Sequence, residues 1–130
     1  MEFEGEFTTQ KHTVLSYPLV YGIAKAKYKK DILTLKMTYS GSYRCGLTYK
    51  IKLQKIKNNK YTVGDKEYIL RGIEKDETIF AGYIEDQIFA LHFSSDYIDL
   101  HDIKIKETIE GGYISINPGD IGTMIFKRTK

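Results

Sequence analysis

An all-β fold is what this sequence predicts: an antiparallel meander closed, or nearly closed, into an up-and-down barrel, with a two-sheet sandwich as the alternative. Three observations carry it. Apolar and polar residues alternate with a period of two over much of the chain, the mark of strands with one buried face. Turn signals interrupt that alternation at short intervals, at Ser40-Gly41-Ser42, Asn58-Asn59, Gly64-Asp65-Lys66, Glu85-Asp86 and Asn117-Pro118-Gly119-Asp120, each built from residues that favour tight turns. About ten strands joined by short loops must also hide their edges, by closing on themselves or by stacking as two sheets. At 130 residues the chain makes a single domain, residues 1–130, long enough to bury a core.

Taken in order, Phe3, Gly5 and Phe7 alternate with Glu2, Glu4, Glu6 and Thr8, a first strand with an acidic outer face. Gly5 marks a bend or a close backbone approach. Thr9 to Thr13 reads as a polar loop, and Pro18 argues against helix just before it. Residues 19–30 are rich in the helix formers Ala and Lys, but Gly22 interrupts them, and Ala24, Ala26 and Tyr28 alternate with Lys25, Lys27 and Lys29. A strand is predicted there.

The firmest patterning lies between Asp31 and Ile56. Leu33, Leu35, Met37 and Tyr39 share one face, as do Cys45, Leu47, Tyr49, Ile51 and Leu53. A three-residue loop, Ser40 to Ser42, pairs Tyr39 with Tyr43 and Leu33 with Tyr49 and keeps every apolar residue on one side. Leu53 and Ile56 are three apart, which predicts a bulge near Gln54 and Lys55. A turn at Asn58-Asn59 places Ile56 opposite Tyr61, and a loop at Asp65-Lys66 places Val63 opposite Tyr68.

The segment TIFAGYI, then Glu85-Asp86, then QIFALHF, reads as a hairpin with two apolar faces. Ile79, Ala81, Tyr83, Ile88 and Ala90 form one, and Phe80, Ile84, Phe89, Leu91 and Phe93 the other. Strands covered on both sides need a second layer, either a second copy of the chain bound through residues 79–93 or another segment of the same chain. Residues 97–109 read as one or two short strands, Gly111-Gly112 as a turn, and Tyr113–Ile116 and Ile121–Arg128 as the last strands.

The single cysteine forms no internal disulfide, and Met1 is followed by an acidic segment in place of a basic, then apolar, signal region; an intracellular location is the resulting expectation. No apolar run reaches the ~20 residues of a membrane-spanning helix. Net charge is +3, yet residues 25–66 hold 12 Lys or Arg against Asp31 and Asp65 and so carry +10, leaving −7 for the remainder. Such a split can mark a surface for anionic partners; it can also be a solvated face whose lysines lie beside acidic strands.

Signals for catalysis are sparse. Tyr97, Asp99 and His101 would share a face if extended, so that a carboxylate and an imidazole could share a proton or hold a metal, but no second His stands at ligand spacing and Asp-rich turns are ordinary turn chemistry. Cys45, without a base beside it, reads as a buried small hydrophobe. The glycines are scattered among strands, not gathered into a phosphate-binding loop. No metal or cofactor is expected, and the chain reads more readily as a binding protein than as an enzyme.

Two binding surfaces are expected. Met37, Tyr39, Tyr43, Tyr49 and Tyr83 would line a barrel that holds a small apolar or aromatic ligand, oriented by tyrosine hydroxyls and His92. Lys25, Lys27, Lys29, Lys36, Arg44, Lys50, Lys52, Lys55 and Lys57 would present a basic sheet face to an acidic protein or nucleic acid, as an interaction or inhibitor module. In length, meander and the aromatic-Gly start at Phe3 to Phe7, the chain resembles calycin-like barrels such as lipocalins and fatty-acid-binding proteins. The Gly-x-Trp signature of lipocalins is absent, and the early helix pair of fatty-acid-binding proteins would fall where Pro18 and Gly22 stand. The resemblance is one of architecture, which alone does not fix function.

Overall fold

The computed structural model describes residues 1–11, 20–41, 45–74, 76–85, 87–94, 99–116 and 120–130. Among them are ten strands: β1 (Glu2–Lys11), β2 (Val20–Lys29), β3 (Ile32–Ser40), β4 (Thr48–Ile56), β5 (Lys60–Val63), β6 (Lys66–Ile69), β7 (Thr78–Ile84), β8 (Gln87–Phe93), β9 (Thr108–Ile116) and β10 (Asp120–Arg128). Eight of them close into an antiparallel barrel in the order β1-β10-β9-β8-β7-β4-β3-β2, while β5 and β6 form a separate ribbon. The meander barrel is therefore the observed fold, and the sandwich is set aside. Residues 20–29 are a strand as predicted, every second residue buried. Among the described residues no helix is long and apolar enough to cross a membrane.

Alternation decides what enters the barrel. Phe3, Phe7, Ala24, Ala26, Tyr28, Leu33, Leu35, Met37, Ile51 and Leu53 are buried inside, with Phe80, Leu91, Phe93, Ile109, Tyr113, Met124 and Phe126 from the later strands. An eight-stranded barrel has little room for so many rings, and glycine supplies it. Phe7 stands opposite Gly22, Phe93 opposite Gly111, and Tyr113 opposite Gly122. In each pair the ring lies over the glycine: a Cβ on Gly22 or on Gly111 would sit 2.7 Å from the facing ring, with the Thr38 carbonyl nearer still to the one on Gly22, and one on Gly122 would run into Tyr113. Gly5 faces Phe126 and Gly82 faces Phe89, but there the close neighbour is a backbone carbonyl, of Ile125 and of Lys52. Gly5 thus marks the close approach expected of it. Gly111 and Gly112, read as a turn, lie in the middle of β9 because they make room for Phe93 and His92.

One end of the barrel is plugged. Residues 99–107, expected to hold strands, instead form a single 3-10 turn at Leu100–Asp102 followed by a turn, and Leu100 and Ile103 are driven into the barrel end. The Arg128 guanidinium donates to the Ile103 carbonyl, and backbone bonds from Lys106 N–H to Arg128 O and from Arg128 N–H to Glu107 O hold the segment against β10. The space among Phe3, Leu33, Phe93, Leu100, Ile109 and Phe126 leaves no room for a water molecule.

The β7–β8 hairpin has the predicted two-residue connection, Ile84 opposite Gln87, and the predicted two apolar faces. Its outer face is covered by the same chain. Leu70 and Ile73, with Ile56, Tyr61 and Tyr68 at the margin, pack on Ile79, Ala81, Ile88, Ala90 and Ile114. A segment of the same chain thus supplies a cover for most of the apolar outer face at residues 79–93, with Tyr83 at its edge left exposed.

Three local expectations are corrected. The β3–β4 connection is longer than three residues: Leu33 faces Leu53 and Met37 faces Tyr49, with Tyr39 O accepting from Gly46 N–H and Tyr39 N–H donating to Leu47 O. That register differs from the expected one by four residues, and an even slip leaves every side chain still within the paired strands on its predicted face, so parity could not detect it. Cys45 consequently falls in the connection and is exposed. No bulge interrupts β4 at Gln54, where pairing with β7 runs unbroken through Ile56; Ile56 is apolar because it faces the outer core. Finally, β5 pairs with β6 and not with β4, Tyr61 opposite Tyr68 and Val63 opposite Lys66, so the turn is Gly64-Asp65, with Gly64 at φ +61.

Candidate binding site at the barrel mouth

Strand direction alternates around the barrel, so the rim opposite the plug gathers the ends of β1, β3, β7 and β9 and the starts of β2, β4, β8 and β10. Inward-facing residues near that rim are aromatic. Phe7 meets Tyr39 edge-on at 5.2 Å between ring centroids, Tyr39 meets Tyr49 at 5.7 Å, and Phe7 meets Tyr113 at 6.3 Å. Phe89 stacks on Tyr113 at 5.4 Å. Edge-to-face and offset stacks of this kind are favourable ring geometries. Phe7 and Tyr113 are buried, whereas Tyr39 and Tyr49 are half-buried and form the outermost rings.

Hydroxyls accompany the rings. Thr9 and Ser115, both buried, lie at the same rim, and Thr9 Oγ1 and Tyr113 OH share a hydrogen bond. Burial pushes the Tyr113 hydroxyl well above the usual tyrosine range, so it stays a neutral phenol, able to donate or accept one hydrogen bond. A mostly apolar, ring-lined end with a few fixed hydroxyls can hold a flat apolar molecule and orient one polar atom on it.

Of the expected ligand-binding residues, Met37, Tyr39 and Tyr49 face the interior and lie close together on β3 and β4. Tyr83 and His92 do not join them. Tyr83 sits on the outer wall, 44% exposed, because odd positions of β7 face outward. His92 also faces outward, its ring over Gly112 and its Nδ1 3.0 Å from Glu77 Oε1; it ties β8 to the segment that covers the outer core. Tyr43 and Arg44, as well as Tyr97, lie outside the described residues.

Asp99 and His101 form a local structure. Asp99 caps the 3-10 turn, its Oδ1 accepting from the His101 backbone N–H at 3.0 Å and meeting His101 Nδ1 at 2.8 Å. Those two bonds hold the Asp99 carboxyl below its usual range. Among the described residues no three His, Cys, Asp or Glu side chains are grouped to hold a metal.

The lysine face lies on the outer wall of β2, β3 and β4. Lys25 is directly opposite Lys36, and Lys36 opposite Lys50; Lys27 and Lys52 flank Thr34 in the next row. Lys29 belongs to the same outer face of β2. Lys55 is placed elsewhere, near Asp31 and Asp99 at the plugged end, and Lys57 lies beyond β4 towards the ribbon. On β1 the acidic row answers β2, with Lys25 Nζ 4.0 Å from Glu4 and Lys27 Nζ 3.8 Å from Glu2.

Phe7, Phe89, Tyr113, Thr9 and Ser115 were not expected at the ligand site. The signal for Phe7 was in the sequence, since its face opposite the acidic row of β1 was assigned inward and strand direction alternates in a meander; Phe89 was placed on one of two apolar faces whose inside alternation alone did not decide. Tyr113 was hidden by reading Gly111-Gly112 as a turn. No protein-family model, curated protein or solved structure matches this chain.

Proposed function

We propose that this barrel is a non-catalytic binding protein that takes a small apolar or aromatic ligand among the rings of the rim opposite the plug. The observation that carries the reading is the asymmetry of the two ends. The plugged half is filled by its own side chains, while the other half presents two inward-facing but half-buried tyrosines backed by a buried Phe89–Tyr113 stack. Rings that face inward yet keep contact with solvent supply apolar area at little conformational cost, which is what capture of a flat molecule requires. Since the plugged half admits no water, the ligand stays in the upper half.

The test is titration with the neutral fluorophore N-phenyl-1-naphthylamine. A rise in probe emission is expected, weakened about tenfold, or about 1.4 kcal/mol, by Tyr49→Ala and by Tyr39→Ala, and unchanged by Tyr83→Ala on the outer wall. An absence of binding by the wild type, or equal loss in all three variants, would remove this reading.

A further inference from the structure

We propose that the outer face of β2, β3 and β4 binds the phosphate backbone of a double-stranded nucleic acid without reading its sequence. The geometry begins with register. Lys25, Lys36 and Lys50 stand directly opposite one another on three successive strands, and neighbouring strands are about 4.8 Å apart. Lys27 and Lys52 stand one outward position along, flanking Thr34, about 7 Å away at the rise of a strand. Five ammonium groups thus share a patch about 10 Å wide.

The same sheet shows how such a row can be neutralised. At the β1–β2 seam Glu4 faces Lys25 and Glu2 faces Lys27, with ion pairs at 4.0 and 3.8 Å. That complementarity stops at β2. Among the described residues, Lys36, Lys50 and Lys52 have no carboxylate within 4.0 Å. Like charges directly opposed across strands are destabilising, so a face that keeps Lys36 directly opposite Lys50 with Lys52 beside them is one whose counter-charge comes from outside the chain.

The composition of the patch selects the partner. Lysine is depleted from protein–protein interfaces, whereas as a compact point charge it suits phosphate. Among the described residues no aromatic side chain lies among these lysines: the nearest outward ring on β2, Tyr21, is four residues from Lys25. Without a stacking platform, unpaired bases have nothing to rest on, and a convex barrel wall does not enter a groove to read base edges. What remains is contact with the phosphates along one side of a duplex.

The experiment is fluorescence anisotropy with a labelled mixed-sequence DNA duplex of roughly 20 base pairs, long enough to cover the ~5 phosphates the patch can reach. Binding is expected at about 50 mM salt, with log K falling against log salt at a slope of about −4 to −5. The triple variant Lys36→Glu, Lys50→Glu, Lys52→Glu should weaken binding at least tenfold while keeping the far-ultraviolet circular dichroism and the N-phenyl-1-naphthylamine response. The same charge change placed elsewhere, Lys57→Glu, Lys66→Glu, Lys104→Glu, should weaken it much less. No binding by the wild type at low salt, equal loss in the two triple variants, or competition by poly-L-glutamate as effective per charge as unlabelled duplex would overturn the proposal, the last in favour of an acidic protein.

Discussion

Tyr113 shows how much one side chain can be asked to do in a small barrel. Its ring fills the interior against Gly122, stacks on Phe89, and carries a hydroxyl bonded to Thr9. Burial raises the pKa of that hydroxyl, and burial together with the Asp31 bond raises that of Tyr28. A tyrosine held protonated in the fold contributes stability that is present in full below its ordinary pKa of 10.0 and is lost as the pH climbs above it. Absorbance titration of the phenolates should therefore show a class of tyrosines that ionises later than the rest and only together with loss of the barrel's circular dichroism; a single phenolate transition with the fold intact would contradict it. The neighbour relation is open to a second check. Gly122→Ala should cost about 1–3 kcal/mol by overpacking, and measurably less in a Tyr113→Ala background, because the ring that the new methyl would meet is gone. Urea denaturation of the four proteins gives the coupling, and additive costs would refute it.

Among the elements, the ribbon β5–β6 with the Leu70–Ile73 segment is the one that a barrel does not need for closure, yet it carries fully buried Leu70. Leu70→Ala should cost about 2–5 kcal/mol if the segment packs as firmly as the interior. The local consequence is faster tryptic cleavage at Lys57, Lys60 and Lys66, with the barrel strands still protected; unchanged cleavage would mean that the ribbon is held by something other than its apolar seat. This element also shows the reach of sequence reasoning here. Two apolar faces on β7–β8 were legible from alternation alone, and so was the need for a cover, but which segment supplies it depends on contacts far apart in the chain. Period-two patterning likewise gave Met37, Tyr39 and Tyr49 their inward face and Lys36, Lys50 and Lys52 their outward one. It could not give the β3–β4 register, since a slip of four residues is invisible to parity. It placed Tyr83 and His92 on the Ile79 face, and only closure of the barrel showed that this face is the outside. The Gly111-Gly112 pair misled for a physical reason: a doublet that commonly bends a chain here makes space for two rings.

At the scale of the whole molecule, closure by β10 on β1 separates two kinds of surface. The interior near one rim is apolar and hydroxyl-bearing, and the outer wall of β2, β3 and β4 is cationic. The split of charge along the sequence is partly undone in space, since acidic β1 lies beside basic β2 and Glu2 receives both Lys27 and Lys130; it persists across β3 and β4. Because the proposed surfaces lie on opposite sides of one wall, a neutral molecule in the rim and a polyanion outside can be held together without competing, and only the second should respond strongly to salt. The ring-over-glycine pairs that fill the interior have a further consequence, one of inheritance. A residue that can grow only when its cross-strand neighbour shrinks is not free to vary alone, so in a library of functional variants of this chain Gly122 and Tyr113 should change together, as should Gly111 and Phe93, while the lysines outside drift one at a time.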